Sequence, residues 1–168
     1  MPTDFGQCIP EQSELRISKL NHAYSSPFEI RTYWISWIGD GTGADEFKAR
    51  NMMTGRSAMP PTGRALGQYT KDLGKGIFNF PITSPETAQH VAERVEKRYA
   101  DGESFSLGME DGSYDSDYPN DQELMKLQWD KYFMRWSVTD PMLELYNNVA
   151  HILQNRYPDS MGKIGFLA

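Results

Sequence analysis

The spacing of apolar positions changes period several times along this chain. Over 103–110, Phe105, Leu107 and Met109 alternate with Ser106, Gly108 and Glu110, the period of two that marks a strand with unlike faces. The apolar row is expected to pack against helices. The small row would face a crowded centre and end on Glu110, where the strand stops and Asp111 and Gly112 open a loop.

Helical spacing brackets this strand. Upstream, Thr83-Ser84-Pro85-Glu86 reads as a helix start, a Thr capping box closed by Glu86 with Pro85 in the first turn. Ala88, Val91, Ala92, Val95 and Tyr99 then set one apolar face as far as about Tyr99. Downstream, Leu124, Leu127, Trp129, Tyr132, Phe133 and Trp136 predict a broad-faced helix over 122–136. Asp140-Pro141 caps a further helix to about Tyr157, with Met142, Leu145, Tyr146, Val149, Ile152 and Leu153 as its stripe.

The rest of the chain is less regular. Residues 1–26 are polar and read as a linker segment, with a weak apolar pattern at Leu15, Ile17 and Leu20. Phe28 to Ile38, rich in aromatic and β-branched residues, predicts a strand ending at Gly39-Asp40-Gly41. Arg31 inside it is either paired in a buried strand or solvated on an edge strand. A short helix is expected over 44–53, then a Gly-, Pro- and Ser-rich loop over 54–76, of a length that belongs to function or to disorder. Ile77 to Ile82 is a candidate strand cut short by Pro81. The brief link Ala100-Asp101-Gly102 between helix and strand implies a βαβ unit, with 103–110 parallel to the strand before it. Lys163 to Ala168 opens another strand and the sequence stops within it, which suggests a fragment of a larger parent chain. The fold class is α/β.

Composition narrows the function. With 168 residues, 39% hydrophobic and 24% charged, the chain suits one globular domain or part of one. A net charge of −6 without a basic patch argues against nucleic-acid binding. Cys8 is alone, so neither an internal disulfide nor a cysteine metal cluster can form. No apolar run of about 18 residues predicts a membrane span. Met1 to Pro10 lacks the layout of a secretory signal, although a secreted or periplasmic parent stays open. The acidic run at 111–117 lacks the central Gly and closing Glu of an EF-hand loop. His90 and His151 read as structural, and no Ser-His-Asp arrangement or Gly-rich phosphate loop is present, so neither metal nor cofactor is expected. Aromatics reach 12%; core packing explains that, and so does a carbohydrate cleft in which rings stack on sugars.

Several stretches together resemble a known family: Pro27-Phe28-Glu29-Ile30-Arg31, Phe47-Lys48-Ala49-Arg50-Asn51-Met52, Thr83-Ser84-Pro85-Glu86, Ser106-Leu107-Gly108-Met109-Glu110-Asp111-Gly112, and Tyr157-Pro158 with the closing Lys163-to-Ala168 strand. From about Pro27 to its last residue the chain is similar to domain of unknown function family 4838, a bacterial family described as a glycoside hydrolase catalytic domain. That family resembles the barrels of β-hexosaminidases and α-glucuronidases. The resemblance implies a partial (β/α)8 TIM-type barrel of parallel strands over 27–168, a carbohydrate substrate, and catalytic carboxylates at strand ends. A cysteine pair that many members carry after the acidic loop is missing from 114–122.

Glycosidic hydrolysis needs one carboxyl to protonate the leaving oxygen and a second group to stabilise or attack the sugar cation. Glu110 at a strand mouth, partly buried, suits acid duty. Asp111 would orient the substrate or assist. Neighbours on a regular strand point opposite ways, so both face one ligand only where the strand ends, which Gly112 allows. The alternative is a solvated Glu-Asp pair. Arg31 suits hydrogen bonding to sugar hydroxyls or a uronate, and Trp34, Trp37 and Tyr114 are stacking candidates. The expected function is glycoside hydrolysis. The alternatives are a non-catalytic carbohydrate-binding domain on the same scaffold and a structural fragment without activity.

Overall fold

The computed structural model describes residues 11, 13, 14, 16, 18, 19, 21–28, 30, 31, 44–53 and 60–166. They fall in two units, one up to Met59 and one from Pro60 onward. In the first, helix α1 spans Ala44–Arg50. It stops short of the expected Met53 because the Asn51 side-chain amide donates to the Phe47 carbonyl at 2.8 Å and Met52 turns to φ 51°, a left-handed position that ends a helix. Of the strand expected over 28–38, Phe28, Ile30 and Arg31 are described and none of them is in a strand; residue 29 and 32–38 lie outside the described residues.

The second unit runs α2 (Leu66–Thr70), α3 (Pro85–Ala100), β1 (Phe105–Ser106), α4 (Pro119–Met125), β2 (Trp129–Asp130), β3 (Arg135–Trp136), α5 (Thr139–Arg156) and β4 (Ile164–Gly165). β1 pairs parallel with β4, Phe105 opposite Ile164 and Ser106 opposite Gly165. Parallel strands need a long crossover, here supplied by α4, the β2–β3 hairpin and α5. A parallel bridge from Gly108 to Arg64 continues the pairing beyond β1.

That pairing differs from the βαβ expectation. Residues 77–82 make a single parallel bridge, Asn79 to Asp115, and do not pair with β1. The reason lies in their donors. Pro81 has no N–H, and the N–H groups of Ile82 and Thr83 both donate to the Asp121 carboxylate, at 2.6 and 2.8 Å, so no ladder can extend there.

The long helices form where their stripes predict. In α3 the cap is Ser84, whose hydroxyl accepts from the Glu86 N–H, while Thr83 Oγ1 is occupied by Asp121. Thr87, Ala88, Val91, Ala92 and Val95 are its buried face. α5 buries Met142, Leu145, Tyr146, Val149 and Leu153 and starts one residue before Asp140, with Pro141 in its first turn. α3 and α5 pack on each other, and their stripes join Leu66, Phe80, Ile82, Phe105 and Leu107 in one apolar core. Among the described residues no helix is long and apolar enough to cross a membrane.

Residues 122–136 do not form the single helix their spacing predicts. α4 ends at Met125, and the antiparallel β2–β3 hairpin follows, Trp129 opposite Trp136. Asp130 forms the turn, its carboxylate accepting from the N–H groups of Tyr132 and Phe133, and Met134 takes φ 52°. Aromatic residues favour strands and an Asp side chain favours turns. Most of the expected apolar face is instead exposed: Leu127, Trp129, Tyr132, Phe133 and Trp136 all reach solvent, while Leu124 is half-buried.

Candidate active site at the end of β1

The alternation read from the sequence is kept in β1 and just beyond it. Phe105 and Leu107 are fully buried in the core, and Tyr99 of α3 meets Phe105 edge-on. The Leu107 N–H donates to the Gly165 carbonyl at 2.7 Å. The Gly108 carbonyl accepts from both Ala65 and Leu66, at 2.9 and 3.0 Å. This double contact ties the chain entering α2 to the carboxyl end of β1 and sets Gly67 beside Glu110.

Glu110 is half-buried and held by both oxygens. The Gly67 N–H donates to Oε1 at 2.8 Å, and the Tyr114 hydroxyl donates to Oε2 at 2.6 Å. The same hydroxyl accepts from the Glu110 N–H at 3.0 Å, which closes the 110–114 loop on itself. Both Glu110 oxygens thus accept hydrogen bonds from the chain. A side chain at position 67 would crowd it: a Cβ there would lie 3.0 Å from Oε1 and 3.1 Å from the Ile77 Cβ. Position 112 is tighter still, since a Cβ there would lie 2.3 Å from the Phe78 ring.

Tyr114 is 2% exposed, with the Phe78 and Phe80 rings edge-on at 5.2 and 6.3 Å. Its ring faces are therefore in the core, and what it brings to the site is its hydroxyl. Burial, then the bond to Glu110, hold that phenol far above its usual pKa. Asp111 is exposed and forms an ion pair with Arg64 at 2.6 Å. Arg31 belongs to the first unit and is half-buried there. Trp34 and Trp37 lie outside the described residues.

Three participants escaped the sequence reading as site or support residues. Gly67 gave no signal beyond being a glycine in a loop. Tyr146 was legible only as part of an apolar helical stripe, in which it is the one member with a hydroxyl. That hydroxyl is buried without a hydrogen-bond partner among the described residues. Its pKa is pushed up to about 12, by burial first and by the charge of Glu110 second. The Tyr146 ring stacks on Phe166, immediately after β4, at 5.0 Å. The third, Asp121, is fully buried. It accepts from Ile82, from the N–H and hydroxyl of Thr83, and from the Ser116 hydroxyl. It is a structural knot rather than a reactive group.

Comparison with family models, with curated proteins and with solved structures found no match to this chain.

Proposed function

We propose that this chain is part of a barrel-type glycoside hydrolase and that Glu110 is the carboxylate that attacks or stabilises the sugar cation. The observation that carries this reading is the posture of Glu110, at the carboxyl end of a parallel strand with donors on both oxygens. The sequence suggested acid duty for Glu110. Two donated hydrogen bonds that fix both oxygens suit a group held in place to offset developing positive charge. Asp111 is the candidate for the second carboxyl. Its present partner Arg64 is exposed, and an ion pair of that kind contributes about 0–1 kcal/mol, so a substrate can draw Asp111 away at little cost.

The test is hydrolysis of a panel of 4-nitrophenyl glycosides and plant, algal and bacterial polysaccharides. Glu110→Gln should lower turnover on the order of 10³-fold while leaving binding near wild type. Retained turnover in Glu110→Gln overturns the assignment.

One observation favours the second reading, a non-catalytic carbohydrate-binding domain. The β2–β3 hairpin presents Trp129, Tyr132, Phe133 and Trp136 to solvent. Beside it is a cavity of about 250 Å³ whose lining includes Asp130, Phe133, Arg135, Ser137 and Thr139. Rings bordered by polar side chains are how proteins hold sugars without cutting them. Polysaccharide binding with no turnover by the wild-type chain selects that reading.

A further inference from the structure

We propose that the cavity beside the β2–β3 hairpin holds one neutral sugar ring. Asp130 accepts from one hydroxyl of a vicinal pair, Arg135 donates to the other, and Phe133 lies against the ring. This rests on the carbohydrate reading above and names the chemistry that the hairpin takes. Asp130 and Arg135 are opposite each other in the antiparallel register, so their side chains share one face. Both are half-buried, and both line the cavity of about 250 Å³ together with Phe133, Ser137 and Thr139. That volume lies just under the roughly 300–1,000 Å³ of sites for drug-sized ligands, which suits a single ring.

Both charged groups have hydrogen-bonding capacity that the chain leaves unused. Asp130 Oδ1 accepts from the N–H groups of Tyr132 and Phe133, at 2.8 and 3.1 Å, and Oδ2 accepts from no group among the described residues. Arg135 carries five N–H donors. A single long bond, 3.4 Å to the Tyr114 carbonyl, is what the described residues give it. Among those residues neither side chain forms an ion pair. A free acceptor and free donors thus line one cavity from opposite strands. Their complement is a pair of neighbouring hydroxyls, one donating and one accepting, which a sugar ring offers. Phe133 supplies the apolar side. It is 77% exposed, and its N–H is bonded to Asp130, so the residue that meets the sugar hydroxyl also fixes the backbone that carries the ring. Holding both in place beforehand lowers the ordering cost of binding. An anionic sugar fits worse. Asp130 offsets the positive charge of Arg135, and a ligand carboxylate has no hydrogen to give the free oxygen.

The experiment titrates the full chain with methyl β-D-glucopyranoside, its galacto and xylo counterparts, their monodeoxy analogues and the methyl glucuronide, and follows backbone amide signals by NMR. At least one neutral glycoside should bind and shift the amides of Phe133, Ser137 and Thr139. Removing either of two adjacent hydroxyls should weaken it about tenfold, and the glucuronide should bind no more tightly than the glucoside. Asp130→Asn keeps an oxygen for the two turn N–H groups and loses the free acceptor. That variant and Arg135→Gln should each bind about tenfold more weakly. Phe133→Ala, at an exposed position, should also weaken binding while leaving the melting temperature near wild type.

Neutral glycosides that bind Asp130→Asn and Arg135→Gln as tightly as wild type overturn this site. So do deoxy analogues that all bind alike, a comparison that needs no variant. A glucuronide that binds more tightly than every neutral glycoside overturns it in favour of an anion held by Arg135. Shifts confined to Gly67 and Glu110, or hydrolysis of the panel above with no shift at Phe133, Ser137 and Thr139, overturn the site and leave the carbohydrate reading standing. A wild-type chain that neither binds nor hydrolyses any of these or the polysaccharides above overturns both.

Discussion

Asp121 and Glu110 are both carboxylates drawn into the second unit, and their surroundings differ in one respect. Asp121 is sealed and accepts from four donors. Glu110 is half-buried and accepts from two. A carboxylate with its acceptor positions filled by its own chain has nothing left for a ligand, and its work is to hold the 82–83 turn to α4. A carboxylate with positions to spare, at a strand end, is positioned for chemistry. Acceptor saturation therefore separates the structural acid from the proposed reactive one here better than burial alone.

The sharpest way to break that comparison is Asp121→Ala. It strands two buried N–H groups and two hydroxyls, so it should lower unfolding free energy by about 3–5 kcal/mol in urea titrations. A loss under about 1 kcal/mol would mean the knot is ornamental. Next is Gly67→Ala, whose new methyl presses on Glu110 and Ile77. We expect about 1–2 kcal/mol from crowding, together with a fall in turnover because Glu110 is displaced; unchanged turnover would show that the Gly67 contact does not matter. Glu110→Gln should cost at most about 1 kcal/mol while removing activity, the reverse of Asp121→Ala.

Asp111→Asn tests the exposed end of the scale. Only its ion pair with Arg64 is lost, so stability should move by less than about 0.5 kcal/mol, and that change should vanish in high salt. The smallest effect belongs to Glu86, a fully exposed carboxylate whose pKa is lowered by the Ser84 hydroxyl and then by its own backbone N–H. A lowered native pKa means a contribution present above the ordinary value of 4.5 and lost as pH falls through the lower native one. Circular dichroism should show the start of α3 loosening in acid below that value. In Glu86→Gln this pH dependence should be absent.

Legibility in the sequence followed how local the cause was. α3 and α5 were readable because a Pro in the first turn and a stripe of Val, Leu and Ala act within a few residues. Glu110 was readable because strand alternation is a local rule. The Trp129–Trp136 hairpin was misread because its aromatics also fit helical spacing. The deciding signal was Asp130, a turn-former that binds the N–H groups of Tyr132 and Phe133. The strand over 77–82 failed for a remote reason: Asp121, some forty positions on, takes the donors it needed. Tyr146 and Gly67 share that difficulty. Gly67 reaches Glu110 and Tyr146 reaches Phe166 through pairings that no short window contains.

The parallel match of Phe105 with Ile164 bears on how this unit assembles. α3 and α5 can coil early from neighbouring contacts, but β1 finds its partner only after residues 107–163 have been gathered in between. Closing so distant a contact carries a large entropic barrier and slows folding. Glu110 and its hydrogen-bond partners, lying beyond that seam, should be among the last parts of the unit to become ordered.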